Sequence, residues 1–359
     1  MKIGILAQKA EKNSTGINKV TLGIIEELLK LDKENKYAFL GKTNWLDLPL
    51  GYIPIVQNTD EMYDLSYTLM SHPLNIVHSH YRPFEIHEKI SCAKVFTIHD
   101  LTPLMFSNGQ GKAFEYFNNA IRKCAVEADT IIAVSNCTKQ DIINYYHVPE
   151  EKIKVVYNGL YPSEIYSSTY EGESVQELER QRFLLSVCGI EARKNLSSTV
   201  KAFVLYKEKH PTDDIKLVIT GSIRQFQVAK ELLNNRSKYI NDVIITGYVE
   251  DKQLIWLYKH ALAFVYASIY EGFGIPILEA MALGKAVICS NTSSMPEVGG
   301  DAVAYCNPKE IESIEDAICC VLNNEKYKCD LEKKALVQAT KFSYAKAAKE
   351  TLEIYQLYR

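Results

Sequence analysis

The sequence has no run of about 18 apolar residues, no cysteine pair at redox or metal-binding spacing, no internal repeat, no low-complexity tract and little net charge. Without the apolar run no helix can span a bilayer. Met1 to Ala7 gives way to the polar stretch Gln8 to Glu11 too soon for a secretory leader. A cytoplasmic protein is expected, with peripheral contact at the inner face of a membrane left open. The nine cysteines are odd in number and scattered, and Cys319 and Cys320 are adjacent. They read as reduced, structural thiols, since no His-bearing zinc spacing accompanies them. A formal charge of −3 gives no global pull toward nucleic acid, and no nucleic-acid partner is expected. What is present is apolar material: 47% of 359 residues, enough for two domains with cores of their own.

Short β-branched and aromatic runs alternate with helical patterns along the whole chain, which predicts parallel sheets covered by helices on both faces. The first set of predicted strands is Lys2–Leu6, Tyr37–Leu40, Ile76–His78, Lys94–Ile98, Thr130–Val134 and Ile153–Val156. The second is Phe183–Val187, Lys216–Thr220, Val243–Thr246, Ala263–Tyr266 and Ala286–Ser290. Between the sets, Gly159–Arg182 is polar and acidic and carries Pro162 and Gly172, so the boundary belongs there, with room for one short helix. In Phe342–Arg359 the apolar positions Ala345, Ala348, Leu352, Tyr355 and Leu357 suit a final amphipathic helix.

The most informative stretch is Tyr270 to Gly284, where Glu271 and Glu279 bracket a glycine-bearing turn that opens a helix. Glu271 follows a strand at its carboxyl end, where ligands of open α/β sheets bind. Gly272 and Gly274 permit backbone conformations closed to other residues and leave peptide N–H groups accessible to a close ligand, with Phe273 and Ile275 of the same turn as further candidate donor-binding residues. Pro276 fits the first helical position and Gly284 the stop. The positive end of that helix dipole suits a phosphate or a phosphate-linked sugar, and the two carboxylates can accept from two sets of hydroxyls. The alternative for a lone pair of glutamates is a tight turn and a dipole-complementing acid.

The whole string resembles the signature of the retaining glycosyltransferases of family 4, in which two glutamates with seven residues between them flank a Gly-Phe-Gly-x-Pro turn. The following segments Lys285–Ser290 and Met295–Gly300 are similar to that family's next strand and loop. The resemblance runs nearly the full length. It implies the α/β GT-B fold, two Rossmann-like, doubly wound parallel-sheet domains facing a cleft, with a C-terminal helix crossing back to the N-terminal domain. It thus implies an acceptor-binding domain of residues 1–162 plus 343–359 and a donor-binding domain of residues 163–342. Under it, Glu279 holds ribose hydroxyls, while Glu271 and the Phe273–Gly274 backbone hold the transferred sugar.

Arg193 and Lys194 lie between a predicted strand end and a predicted helix, a geometry that binds anions and stabilises charge developing on a leaving diphosphate. Alone, such a pair is most often solvated surface. The segment resembles the family's Gly-x-x-x-x-Arg-Lys-Asn diphosphate site, although Ile190 stands where many members carry another arginine. Near the N-terminus, Asn13, Ser14, Thr15 and Gly16 precede a helix predicted over Asn18–Leu31, and Gly16 marks the junction. The family approaches donor phosphates and acceptor there, usually with two glycines, whereas Thr15 takes the first place here. His99 and Asp100 follow the strand Lys94–Ile98, and Thr97–Pro103 resembles the family segment whose histidine contacts the donor sugar, with Asp100 facing donor or acceptor. His78 and His80 lack further ligands for a metal and read as cleft lining. Asp213 and Asp214 precede their strand, at the wrong end of the sheet for a metal pair, and read as solvated surface. Gly221 with Ser222, and Gly247 with Tyr248 and Val249, end strands where backbone groups can meet a nucleotide base, and Asn158–Gly159 reads first as a turn.

These residues predict a retaining, metal-independent hexosyltransferase with no cofactor. It would move a sugar from a UDP- or GDP-sugar donor to a hydroxyl of a glycan or lipid-linked acceptor in polysaccharide biosynthesis. The alternatives are a two-domain sugar-nucleotide epimerase, a sugar phosphorylase, or a non-catalytic nucleotide-sugar-binding subunit.

Overall fold

The computed structural model describes residues 1–7, 16–41, 47–55, 63–80, 83–86, 90–106, 112–160, 173–187, 189, 191–221 and 238–359. The calls on Asn13, Ser14, Thr15, Pro162, Gly172, Ile190 and Ser222 fall outside them. The chain divides into a unit of residues 1–161 and 342–359 and a second unit of residues 162–341.

In the first unit the elements run β1 (Lys2–Leu6), α1 (Gly16–Leu31), β2 (Lys36–Gly41), β3 (Gly51–Pro54), β4 (Tyr63–Asp64), α2 (Ser66–Ser71), β5 (Ile76–His80), β6 (Phe84–Glu85), β7 (Ala93–Ile98), α3 (Thr102–Phe106), α4 (Lys112–Glu127), β8 (Thr130–Ala133), α5 (Asn136–Asp141) and β9 (Ile153–Val155). Seven strands form one parallel sheet in the order β3-β2-β1-β5-β7-β8-β9, and β4 pairs with β6 apart from it. Strand order reverses between β1 and β5. The sheet is buried on both faces, so Ile3, Ile5, Val77, Phe96 and Ile131 are all fully covered, which is why these strands read as unbroken apolar runs. The edge strand β3 was not predicted: its Gly51 and Pro54 signal a turn, and only an edge tolerates a proline.

The second unit runs β10 (Phe183–Val187), α6 (Leu196–Lys209), β11 (Lys216–Thr220), β12 (Val243–Gly247), α7 (Asp251–His260), β13 (Ala263–Tyr266), α8 (Ile275–Ala282), β14 (Val287–Ser290), α9 (Met295–Gly299), β15 (Ala304–Cys306), α10 (Ile311–Asn323) and α11 (Glu325–Ala339). Its six-stranded parallel sheet has the order β12-β11-β10-β13-β14-β15, reversing between β10 and β13. Val200, Phe203 and Tyr206 of α6 share one core with Ile314, Ala317 and Ile318 of α10. Ahead of β10, Gln176–Leu178 forms a single 3-10 turn.

The last helix, α12 (Tyr344–Gln356), belongs to the first unit and packs on α1. Its buried stripe is Tyr344, Ala347, Ala348, Thr351, Ile354 and Tyr355, which corrects the predicted face: Ala345 and Leu352 are only half-buried and Leu357 is exposed. The Tyr344 ring lies so close over Gly23 of α1 that any side chain at 23 would collide with it. Gly159 plays the same part for the backbone. A Cβ there would fall 2.6 Å from Ser343 Cα, where Leu160 bridges Ser343 and accepts from Tyr344 N. The Asn158–Gly159 pair is thus a close crossing as well as a bend. Among the described residues no helix is long and apolar enough to cross a membrane.

Candidate active site

The carboxyl ends of β10 and β13 flank the point where strand order reverses in the second unit, and open sheets bind ligands at such a point. From β10 the chain reaches a 3-10 turn over Ala192–Lys194 and then α6. Asn195, the N-cap of α6, sits in the left-handed region at φ 54 and donates its side-chain amide to Ala267 O at 3.0 Å and Pro308 O at 2.6 Å. From β13 the chain reaches Glu271 and then Gly274, whose φ of 107 requires glycine as the N-cap of α8. Gly272 is not in the positive-φ region, so the two predicted permissive glycines reduce to one. Pro276 takes the second helical position, one later than predicted, and Gly284 closes α8 with the paired Gly284 N to Met281 O and Lys285 N to Ala280 O bonds of a Schellman motif.

These two segments bring Arg193, Lys194 and Glu271 into one cluster. Glu271 Oε1 accepts from Lys194 Nζ at 2.8 Å, Tyr266 OH at 2.9 Å and Ser268 Oγ at 2.8 Å, while Oε2 pairs with Arg193 Nη1 at 2.8 Å. Lys194 Nζ also donates to Tyr266 OH at 2.6 Å, and Arg193 Nη1 to Tyr270 O at 3.3 Å. The side chains are 9%, 13% and 14% exposed for Glu271, Arg193 and Lys194, so solvent screens the cluster little. Burial alone would raise the Glu271 carboxyl, but the Lys194 and Arg193 charges and the Lys194 and Ser268 hydrogen bonds outweigh it and hold it below its ordinary value. Burial, then the Glu271 charge, pushes the Tyr266 phenol well up, so it stays a neutral donor.

The backbone of the turn is pinned from a third element. Ser293 Oγ accepts from Glu271 N at 3.1 Å and donates to Glu271 O at 2.6 Å, and Ser294 Oγ reaches Glu271 O and Phe273 O, both at 2.8 Å. Ser293 is itself in the left-handed region at φ 59. Among the described residues three non-glycines have positive φ, and two of them, Asn195 and Ser293, hold this site. Strain placed so is a mark of a functional turn. Tyr266, Ser268, Ser293 and Ser294 were not singled out from sequence. The only signal was their place at or just past the ends of β13 and β14.

Glu279 lies one turn into α8, buried, and its Oε2 accepts from Tyr258 OH of α7 at 3.0 Å. It is not in the Arg193–Lys194–Glu271 cluster, so the two glutamates have different surroundings. Ile275 opens α8, and its N-cap Gly274 has no side chain to cap the helix. Gly221 N donates to Gly247 O at 3.0 Å, so the two strand ends expected to meet a base are bonded to each other. Beyond them Tyr248 is exposed and Val249 half-buried. Asp213 and Asp214 are ion-paired with Arg182, each at 2.9 Å, and Asp213 accepts from Tyr206 OH at 2.8 Å. Asp213 is therefore a structural partner, not the solvated surface predicted.

In the first unit, His78, His80 and His99 are buried at the carboxyl ends of β5 and β7. The rings of His78 and His80 are 4.3 Å apart and those of His80 and His99 6.2 Å. Burial pushes His99 down to about 4, and burial with the neighbouring His99 pushes His78 down to about 3, so both are neutral near pH 7. His78 bonds Tyr355 OH at 2.6 Å and Thr97 Oγ1 at 2.7 Å, which makes it a tie between sheet and α12 where cleft lining was expected. Asp100 Oδ1 accepts from Thr102 N at 3.0 Å, shaping the entry to α3. Gly16 is the exposed first residue of α1, and among the described residues a Cβ there would meet nothing within 4 Å.

Residues 171–338 match the family profile described as glycosyl transferases group 1, and residues 54–164 that described as glycosyltransferase family 4. The chain is 30% identical over 273 residues to the serotype-specific mannosyltransferase WbdA of Escherichia coli, an alignment covering 72% of this chain and 33% of that one. The chain thus spans about a third of the length of the first curated relatives it matches. It is 29% identical to the O-antigen chain mannosyltransferase B of Escherichia coli, covering 73% and 70% of the two chains. Its fold is that of the crystal structure of a glycosyltransferase from Rickettsia africae ESF-5, with a TM-score of 0.71, 18% identity, and 99% and 98% of the two chains covered.

Proposed function

We propose, from the premise that this chain belongs to the family-4 glycosyltransferases and has their GT-B fold, that it moves a hexosyl group from a nucleoside-diphosphate sugar to a hydroxyl of a glycan or lipid-linked acceptor. The second unit binds the donor and the first the acceptor. The mannosyltransferase relatives support mannose as the sugar, and a GDP- or UDP-linked form is the donor class proposed for it. The observation that carries the reading is the buried Arg193–Lys194–Glu271 cluster at the strand-order reversal between β10 and β13.

Two cations against one carboxylate leave a net positive charge, which the N-terminus of α8, capped by a glycine without a side chain, reinforces. A diphosphate supplies the missing negative charge. As the glycosidic bond breaks, charge grows on the leaving phosphate oxygen, and Lys194 and Arg193 stabilise it more than they stabilise the intact donor. Glu271, Tyr266 and Ser268 hold these donors in place beforehand, so little reorganisation is needed at the moment of reaction. Glu271 and the Phe273–Gly274 backbone also accept the sugar's hydroxyls, and Glu279 those of the ribose. The acceptor attacks on the face the diphosphate leaves, a phosphate oxygen takes its proton, and configuration is retained without a covalent enzyme intermediate and without a metal. His99, neutral through burial, and Asp100 line the acceptor side.

Thermal-shift titration with UDP, GDP and ADP, followed by transfer assays with the matching sugar nucleotides, tests this. One nucleotide should stabilise the protein, and its hexose derivative should yield an α-linked product from an α-linked donor in the presence of EDTA. Donor interconversion without acceptor, dependence on free phosphate, or an inverted product would overturn the reading.

A further inference from the structure

We propose that the second unit carries a zinc site built from His210, Glu315 and Cys319, at the end of the sheet opposite the candidate active site. One ligand atom from each lies within 4.8 Å of the other two. The three come from two packed elements: His210 is the C-cap of α6, and Glu315 and Cys319 are one turn apart on α10. More than a hundred residues separate His210 from the other two, so no sequence spacing could reveal them.

The geometry fits the ion. Zn–S and Zn–N bonds of about 2.3 and 2.0–2.1 Å at a tetrahedral angle put sulfur and nitrogen about 3.6 Å apart. Cys319 Sγ and His210 Nε2 are 3.7 Å apart. Glu315 is 1% exposed, and its Oε1 has no hydrogen-bond partner among the described residues, an arrangement that is costly unless something partners that oxygen. Its other oxygen, Oε2, takes Lys209 Nζ, which would orient the carboxylate as outer partners of metal ligands do. Asn323 Nδ2, a further turn along α10, donates to Cys319 Sγ at 3.1 Å and orients the sulfur. The His210 ring is braced against Tyr206 with centroids 4.6 Å apart.

Thiolate, imidazole and carboxylate together select a borderline-soft ion, zinc in preference to magnesium or calcium. The thiol proton leaves on binding, and the thiolate and carboxylate neutralise the ion. His210 and Cys319 are half-buried, so water completes the tetrahedron. The site clamps the end of α6 to α10. Because α6 begins beside Lys194 and rises 1.5 Å per residue over its 14 residues, the ion sits about 20 Å from the diphosphate cations.

The test uses the untagged full-length chain, reduced and stripped of metal, titrated with Zn2+ against a chromophoric chelator and with Co2+ by absorption. One equivalent should bind, and Co2+ should give a thiolate charge-transfer band with tetrahedral d–d bands. Cys319→Ser should abolish the charge-transfer band, and Cys319→Ser and His210→Ala should each weaken Zn2+ by more than the roughly 10- to 100-fold typical of losing an outer partner. Cys320→Ser, at the exposed neighbouring thiol, should change neither. Glu315→Gln disturbs a buried ion pair and can unfold the unit, so the two half-buried positions carry the test, with far-UV circular dichroism of the metal-free variants as control. The proposal is overturned if no stoichiometric Zn2+ binds, if the Co2+ charge-transfer band survives Cys319→Ser, or if it vanishes in Cys320→Ser.

Discussion

Replacing Glu271 by Gln separates its work as an anchor from the work of the cations it holds. Glutamine keeps the shape and still accepts from Tyr266 and Ser268, but it loses the charge shared by Lys194 and Arg193 and turns an NH2 toward one of them. Hydrogen bonds to charged groups contribute about 1.5–3 kcal/mol each, and breaking a buried ion pair costs about 3–5 kcal/mol. Since both cations keep a little access to water, the lower figure, about 3 kcal/mol, is the expected loss. For a unit of roughly 180 residues each kcal/mol moves Tm by about 2–4 °C, so the variant should melt about 6–12 °C lower in the absence of ligand. Adding UDP or GDP should narrow that gap, because the diphosphate replaces the missing anion. The folded carboxyl titrates below its ordinary 4.5, so its contribution is complete above that pH and is lost as pH falls through the depressed folded value. The two proteins should therefore converge only in acid. Calorimetry at pH 7 and along an acid series is the assay. Melting within about 1 °C of wild type without ligand, or a gap that widens with both nucleotides, would refute the reasoning.

Lys194→Ala should reduce transfer by about 100- to 1,000-fold, the cost of removing one donor aimed at developing charge, with the far-UV spectrum unchanged. Turnover within a few-fold of wild type would remove Lys194 from the chemistry. Gly159→Ala should destabilise the first unit by about 1–3 kcal/mol or more in urea unfolding, since its methyl would collide with the Ser343–Tyr344 backbone, which cannot rotate away. The buried histidines make that unit acid-sensitive: unfolded His78 protonates below about 6.5 and the folded residue only near 3, so its contribution to stability falls as pH drops through that window. His78→Asn should flatten the stability-against-pH curve between pH 3 and 6.5, and an unchanged slope would count against His78. Gly274→Ala should cost about 1–3 kcal/mol from strain at φ 107 and weaken nucleotide binding, read together by melting with and without GDP.

The two parallel sheets were legible because both faces are covered, which turns strands such as Phe183–Val187 and Lys216–Thr220 into unbroken apolar runs. β15, only Ala304–Cys306, was too short to give a signal, and β3 was hidden by its Gly51 and Pro54. At the site, the turn between Glu271 and Glu279 could be seen locally. The meeting of Glu271 with Arg193 and Lys194, some 77 residues apart, could not, because it is made by the adjacency of β10 and β13. The contrast between Gly272 and Gly274 was likewise invisible, since composition shows what a glycine permits and not what the chain adopts. The misread face of α12 has a packing cause: Gly23 of α1 makes room for the Tyr344 ring, which sets the buried stripe running through Ala347, Ala348, Thr351, Ile354 and Tyr355, while Leu357 lies past the helix end and is exposed.

That the first unit is closed by α12 bears on the order in which the chain is made. The second unit is continuous in sequence and can complete its core while residues 342–359 are still unsynthesised. Until those residues emerge, α1 lacks the Tyr344 ring over Gly23, and His78 lacks Tyr355 as a partner. Of the two units, the one begun earlier in this sequence is therefore the one completed later.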